Sequence, residues 1–389
     1  MKIKQKPEDF IVRELADLKL NSEGRFAYYR LVKRGLGTLE VVQNVARQFG
    51  LSRRKISFGG LKDKYSHSEQ IISVEGGPDK NIEDSHFILN YLGKSTLPMS
   101  PACLAGNHFT LCIRDVSDSE VEKIYKRLEE IKEFGVPNYF DDQRFGSLRG
   151  TDGFIAKKLI LGDFEGALKF AIASPSGEDR AKVRQIKETI SKLWGNWKEC
   201  AAELPKSSER SIVCFLRDHP KHFAGAFERL EKNLRVLYLS AYQSYLWNRC
   251  AELFLKCRID AQDQILYKYT AGTFLFYQKL PQVTVQSLQN ISMPLLKNNT
   301  QPDAELTPIV EQVLQEEGIA LKQMRIKKTR MVFFSKGERK LLLFPQNLKV
   351  EGAKADELND GRRKVTLSFE LSKGSYATIL VKRLTYDFV

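Results

Sequence analysis

The chain has 389 residues, 42% hydrophobic and 10% aromatic, which excludes a disordered protein and exceeds what one ordinary core holds. Its 62 Lys and Arg against 48 Asp and Glu give a formal charge of +14, favouring a polyanionic partner; nucleic acid fits better than a membrane surface, since no long basic amphipathic helix is present. No signal-peptide core and no run near the roughly 18 apolar residues of a membrane span is seen, so a cytoplasmic protein is expected.

In chain order, "EDFIVRE" (8–14) and "RFAYYRLVKR" (25–34) carry the aromatic and β-branched residues of strands. Thr38 is placed to cap a helix whose apolar face is Val41, Val42, Val45 and Phe49, with Gly50 at its end. "KISFGG" (55–60) reads as a strand entering a turn and "EQIISVEG" (69–76) as the strand leaving it, so "LKDK" and its Asp63 lie on a connection between strands.

"NHFTLCIRDV" (107–116) alternates, with Phe109, Leu111 and Ile113 on one face and Thr110, Cys112 and Arg114 on the other. From about Asp118 the spacing of Val121, Ile124, Leu128 and Ile131 predicts a helix stopped by Gly135 and Pro137. After the loop "VPNYFDDQRFG" comes a helical stretch interrupted at Gly162, and "ASPSGEDRAK" (173–182) has the composition of a boundary. The middle is helical, its longest stripe running through Leu230, Leu234, Leu237, Tyr245, Leu246, Leu253 and Phe254. Strand character returns at 340–345 and 364–371, and Tyr376, Ile379, Leu380 and Leu384 share a final helix face with Ser375 as its cap. Strands at both ends around a helical middle predict an α+β domain split by an insertion.

Several chemistries lack their residues. No GxxxxGK[ST] phosphate loop occurs, and "RGLGTLEV" has GxG without the third glycine. The six cysteines form no CxxC pair and the five histidines have no metal spacing, so neither zinc nor a cofactor is expected. Asp141 and Asp142 could hold magnesium in a nuclease, though adjacent carboxylates in a polar loop are usually hydrated. The basic runs "SRRK" (52–55), "RIKKTR" (325–330) and "GRRK" (361–364) are each, taken singly, solvated surface. Asp63, between Lys62 and Lys64 after two glycines, is either a surface turn former or an acid kept ionised by neighbouring ammonium groups and able to act as nucleophile or base.

"GGLKDKYSHSEQ" (59–70) resembles the aspartate motif of the TruD family of tRNA pseudouridine synthases. Five more stretches agree in order: "KPEDFIVRE" (6–14), "GNHFTLCIR" (106–114), "VPNYFDDQRFG" (136–146), "SAYQSYLWN" (240–248) and "LSKGSYATILVKR" (371–383). The resemblance implies a cofactor-free isomerase that moves the ribose bond of a uridine from N1 to C5 in transfer RNA, the usual target being uridine 13 of the D arm. It implies an α+β catalytic domain with a mixed, largely antiparallel sheet, formed by 1–173 and 344–389 and split by an inserted α/β TRUD domain at 174–343, with RNA in a basic cleft. Asp63 becomes the catalytic residue. No second carboxylate is required, because the departing base returns in place of water. The target base must be extruded, and the substrate-contacting positions fall on Lys4, Phe10, Asn138, Phe140 and Tyr376: Asn138 offers a donor and an acceptor to a uracil edge, while Phe10 or Phe140 offers a stacking ring. Two departures stand out: Tyr376 replaces a phenylalanine, and "LSKGS" lacks a proline. Other RNA targets are left open, as is oligomeric state, and no obligate protein partner is implied. An RNA-binding or RNA-folding protein without synthase activity is the alternative.

Overall fold

A computed structural model describes residues 1–388 apart from 65, 147, 149–152, 178 and 327–332; most of the basic run 325–330 lies outside the described residues. The chain forms two compact units, Met1–Val136 with Leu343–Val389, and Pro137–Leu342.

The first unit is built on a nine-stranded sheet. Its elements are β1 (Phe10–Ala16), β2 (Phe26–Lys33), α1 (Thr38–Gln48), β3 (Ile56–Phe58), β4 (His67–Glu75), β5 (Ile82–Glu83), β6 (Phe87–Ser95), β7 (Leu104–Val116), α2 (Asp118–Phe134), β8 (Gln346–Ala355), β9 (Arg363–Ser372) and α3 (Ala377–Leu384). The strand order is β8-β9-β7-β1-β4-β2-β6-β5, with β3 added on β4. The sheet is mixed and mostly antiparallel. β1 and β4 are parallel, with Ile11 opposite His67 and Arg13 opposite Glu69.

One face of the sheet carries a large core cluster. Ala27, Tyr29 and Leu31 of β2, Ile72 and Val74 of β4 and Leu89 of β6 pack against Val41, Val42 and Val45 of α1, the stripe expected for that helix. Across β1, β7 and β9 the same face bears an aromatic row: Phe10 meets Phe109 edge-on at 6.1 Å, and Phe109 stacks on Phe369 at 5.6 Å. Such pairs add about 0.5–1.5 kcal/mol each beyond burial. α2 packs on α3 and on β9; Ser117 and Glu120 form a reciprocal capping box at its start, and Gly135 ends it with φ +70°.

Two expected caps differ. The first residue of α1 is Thr38 itself, and Gly37 precedes it with its N–H donated to Glu40 Oε2. In α3, Tyr376 occupies the cap position expected for Ser375, whose hydroxyl lies 3.1 Å from that of Ser372. Both shifts are one residue: several small polar residues sit near each helix start, and local spacing does not choose among them.

Arg114 ties distant parts of the first unit together. Its buried guanidinium donates to Asp9, Asp356 and Glu357 at 2.9, 2.7 and 3.0 Å, joining the segment before β1 to the loop after β8. The run "GRRK" is likewise engaged internally, with Arg362 on Asp115 and Glu120, Arg363 on Asp118 and Lys364 on Glu357.

In the second unit, helix Lys232–Lys256 is the central element, burying Tyr238, Tyr242, Leu246, Trp247 and Phe254, while Leu237 of the expected stripe is 40% exposed. The hairpin Gln264–Tyr269 and Gly272–Tyr277 stacks aromatic rings, Tyr269 on Phe274 at 3.9 Å. The helices Ile155–Ile160 and Phe164–Ala173 are separated at Gly162, φ +84°. The sequence reading groups this helical pair with the amino-terminal segment, up to residue 173. In the structure it packs within the second unit, where the Phe154 ring lies 4.8 Å from that of Tyr245.

Candidate active site

Residues 59–64 approach the sheet at the end where both β1 and β4 begin, because those strands run parallel. The residues just before β1 and just before β4 therefore meet. Lys4 Nζ lies 2.7 Å from Asp63 Oδ2 and 4.2 Å from the centre of the Phe10 ring. The Asp63 side chain is 35% exposed and Lys4 18%, so the carboxylate is reachable yet held. Lys4 has φ +58°, a left-handed backbone unusual for a residue with a Cβ; strain of this kind collects where a side chain must be aimed. Phe10 is 7% exposed, largely committed to the row with Phe109.

Beneath the Asp63 turn lies a patch of buried polar groups on the core face. Thr38 Oγ1 donates to Gln70 Oε1 at 2.8 Å and accepts from Lys62 N at 2.9 Å. The threonine expected as a helix cap thus pins the turn instead. Lys62 Nζ donates to Asn107 Oδ1 at 2.6 Å and pairs with Glu14 Oε1 at 3.1 Å. Glu14, fully buried, accepts from Ile71 N through Oε2 at 2.8 Å, extending the β1–β4 pairing by one bond. Ser66 Oγ donates to the Asp63 carbonyl at 3.0 Å. Lys33, the last residue of β2 and fully buried, donates to that same carbonyl and to Leu36 O, both at 2.8 Å. Burial lowers its ammonium to about 8, against the opposing pull of Asp63; Lys62 adds to the lowering and Glu40 resists it.

Tyr376 also belongs to the first unit. It follows β9, whose Leu371 pairs with Asn107, the partner of Lys62. The Asp63 turn is thereby linked, through Asn107 and Leu371, to the strand that precedes α3.

Asn138 and Phe140 belong to the second unit. Asn138 is 5% exposed; its N–H donates to Leu341 O at 2.8 Å and its side-chain amide to Lys340 O at 3.2 Å, while Oδ1 accepts from Arg339 Nη2 at 2.7 Å. Phe140 is 6% exposed, edge-on to Trp247 at 5.7 Å, with the Arg339 guanidinium 4.2 Å above its ring. Arg339 donates further to the carbonyls of Asn138 and Tyr139. Asn248, from the motif "SAYQSYLWN", bonds both main-chain polar groups of Phe140. Asp142 Oδ1 accepts from Thr270 N at 2.8 Å and Asp141 is 2% exposed: the two carboxylates are built into the loop. Among the described residues no group of three or more His, Cys, Asp or Glu is placed to hold a metal ion, and no helix is long and apolar enough to cross a membrane.

Lys33, Glu14, Arg339 and Asn248 escape the sequence reading. A signal existed for Lys33, which continues the inward alternation Ala27, Tyr29, Leu31 and is the one charged member of that set. Nothing local marks Arg339 among the basic residues around it.

Residues 1–384 match the family model of tRNA pseudouridine synthase D, TruD. The chain is 33% identical over 389 residues to the probable tRNA pseudouridine synthase D 2 of Methanocaldococcus jannaschii, covering 98% of this chain and 91% of that one. It is 33% identical over 399 residues to the tRNA pseudouridine synthase D of Aquifex aeolicus, covering 99% and 98%. Among solved structures, the crystal structure of the TruD protein of Methanosarcina mazei superposes with a TM-score of 0.72 at 28% identity, covering 99% of this chain and 93% of that one. With the family pattern spanning nearly its whole length on a matching fold, the chain belongs to the tRNA pseudouridine synthase D family of isomerases.

Proposed function

We propose that this protein converts uridine to pseudouridine in transfer RNA, at uridine 13 of the D arm, in the cytoplasm, with Asp63 as the catalytic residue and without a cofactor. The observation that carries the reading is the Lys4–Asp63 pair at 2.7 Å, in a turn pinned from below by Lys33, Thr38 and Ser66. The bond from C1′ to N1 breaks, the base turns, and C1′ bonds to C5; the C5 proton leaves and N1 gains one, so the net change is an isomerisation. The Asp63 carboxylate serves either by adding to C1′ or by removing the 2′ proton to form a glycal. Lys4 orients it. Phe10, Tyr376, Asn138 and Phe140 contact the extruded nucleotide, Asn138 through the hydrogen-bonding complementarity of its amide and Phe140 through its ring.

The test is Asp63→Asn, nearly isosteric, assayed by tritium release from C5-labelled uridine in transcribed tRNA. Loss of release with RNA affinity intact supports the reading. No release by the wild type on any tRNA would leave an RNA-binding protein.

A further inference from the structure

The Lys33 side chain is fully buried, and its amine donates at 2.8 Å to Asp63 O and to Leu36 O. Three separate elements meet at this nitrogen: the end of β2, the lead-in to α1 and the turn before β4. A neutral donor would satisfy two carbonyls at lower cost, because an ammonium loses far more than an amide when taken out of water. A costly cation retained at such a place, with its charge toward a carboxylate-bearing turn, breaks a local rule of the kind that marks function.

We propose that Lys33 is a positioning residue for the isomerisation: its ammonium clamps the main chain of the turn that presents Asp63, holding that carboxylate at the substrate sugar. The inference rests on the reading of Asp63 given above. Lys33 touches the carbonyl of Asp63 and acts through it. The charged groups facing it are Asp63 and Lys62 on the turn and Glu40 on α1; Glu40 is itself 3.6 Å from Lys64, and Asp63 is paired with Lys4. Thr38, Ser68 and Gln70, also buried on that face, are uncharged. His67 alternates to the other face of β4. With the amine near about 8, the clamp weakens as the solution is made more alkaline than this value.

The experiment compares wild type with Lys33→Met, which keeps the bulk and removes the charge, and with Lys33→Ala, which leaves room for an added amine. Single-turnover pseudouridine formation on transcribed tRNA is measured across pH, with RNA affinity, thermal melting and hydrogen exchange of residues 59–66 alongside. In Lys33→Met the rate falls about 10- to 100-fold while RNA affinity stays within about twofold; the wild-type decline above about pH 8 disappears, and residues 59–66 exchange faster. Ethylamine restores rate to Lys33→Ala. A wild-type rate and pH profile in Lys33→Met overturns the proposal, as does a loss of rate that merely follows lost affinity and melting temperature. If the wild type forms no pseudouridine at all, the proposed function fails, and unchanged exchange of residues 59–66 in Lys33→Met would then overturn the clamp on its own.

Discussion

The Asn248 carboxamide bonds both polar main-chain atoms of Phe140, accepting from its N–H at 2.9 Å and donating to its carbonyl at 2.8 Å. Two family motifs more than a hundred residues apart are joined by this pair of bonds, in the manner of a strand partner supplied by a side chain. Replacing Asn248 by Leu removes both of these buried bonds, a loss of about 0.5–1.5 kcal/mol for each. Urea unfolding of Asn248→Leu is expected to show destabilisation of this order, and tritium release from tRNA is expected to fall with it.

Lys4 separates function from stability. Its left-handed backbone suits asparagine, which lacks an ammonium to reach Asp63. Lys4→Asn is therefore expected to melt within a few degrees of wild type while its single-turnover rate drops at least about tenfold. A variant as fast as wild type would remove Lys4 from the reaction.

Arg114 should matter to stability alone. Removing its guanidinium takes the cation away from the buried carboxylates of Asp9 and Asp356, and breaking such a buried network costs about 3–5 kcal/mol. Arg114→Met is expected to lose this much in denaturant unfolding. Burial alone would raise the Asp356 carboxyl, but bonds from Leu358 N, Asn359, Asp115 N and Arg114 outweigh it and bring it to about 2, below its ordinary 3.8. Its contribution is complete above the ordinary value and vanishes as pH falls through about 2. Denaturant unfolding followed by circular dichroism should show stability falling as pH drops from 3.8 toward about 2, and a variant Asp356→Asn that has lost this part of the dependence.

Thr38 offers a test of where the turn is fastened. Its hydroxyl holds Gln70 and the Lys62 N–H, so Thr38→Val should cost about 1–3 kcal/mol and speed hydrogen exchange in residues 59–66 more than at the start of α1. Thr38→Ser should keep both bonds. Fraying confined to α1 in Thr38→Val would show that the residue acts as a cap after all.

The elements were legible because their signals are local. The inward alternation of β7 through Phe109, Leu111 and Ile113, the α1 stripe and the helix break at Gly162 each depend on residues a few positions apart, and each appears in the structure. The caps slipped by one residue where serine, threonine and glycine crowd together. The packing of Phe154 on Tyr245 was not legible, since it follows from neighbours found only on folding.

By itself the sequence determined the charge, the order of elements and the six motifs that mark the family. Their chemistry resides in particular side chains and survives as a pattern along the chain. Only the tertiary structure decided that Lys4, Lys33, Thr38 and Asp63 gather at one end of one sheet, because that depends on β1 and β4 lying side by side and parallel across fifty intervening residues. Strand partners are chosen by which faces can be buried together. No spacing within either strand records the choice.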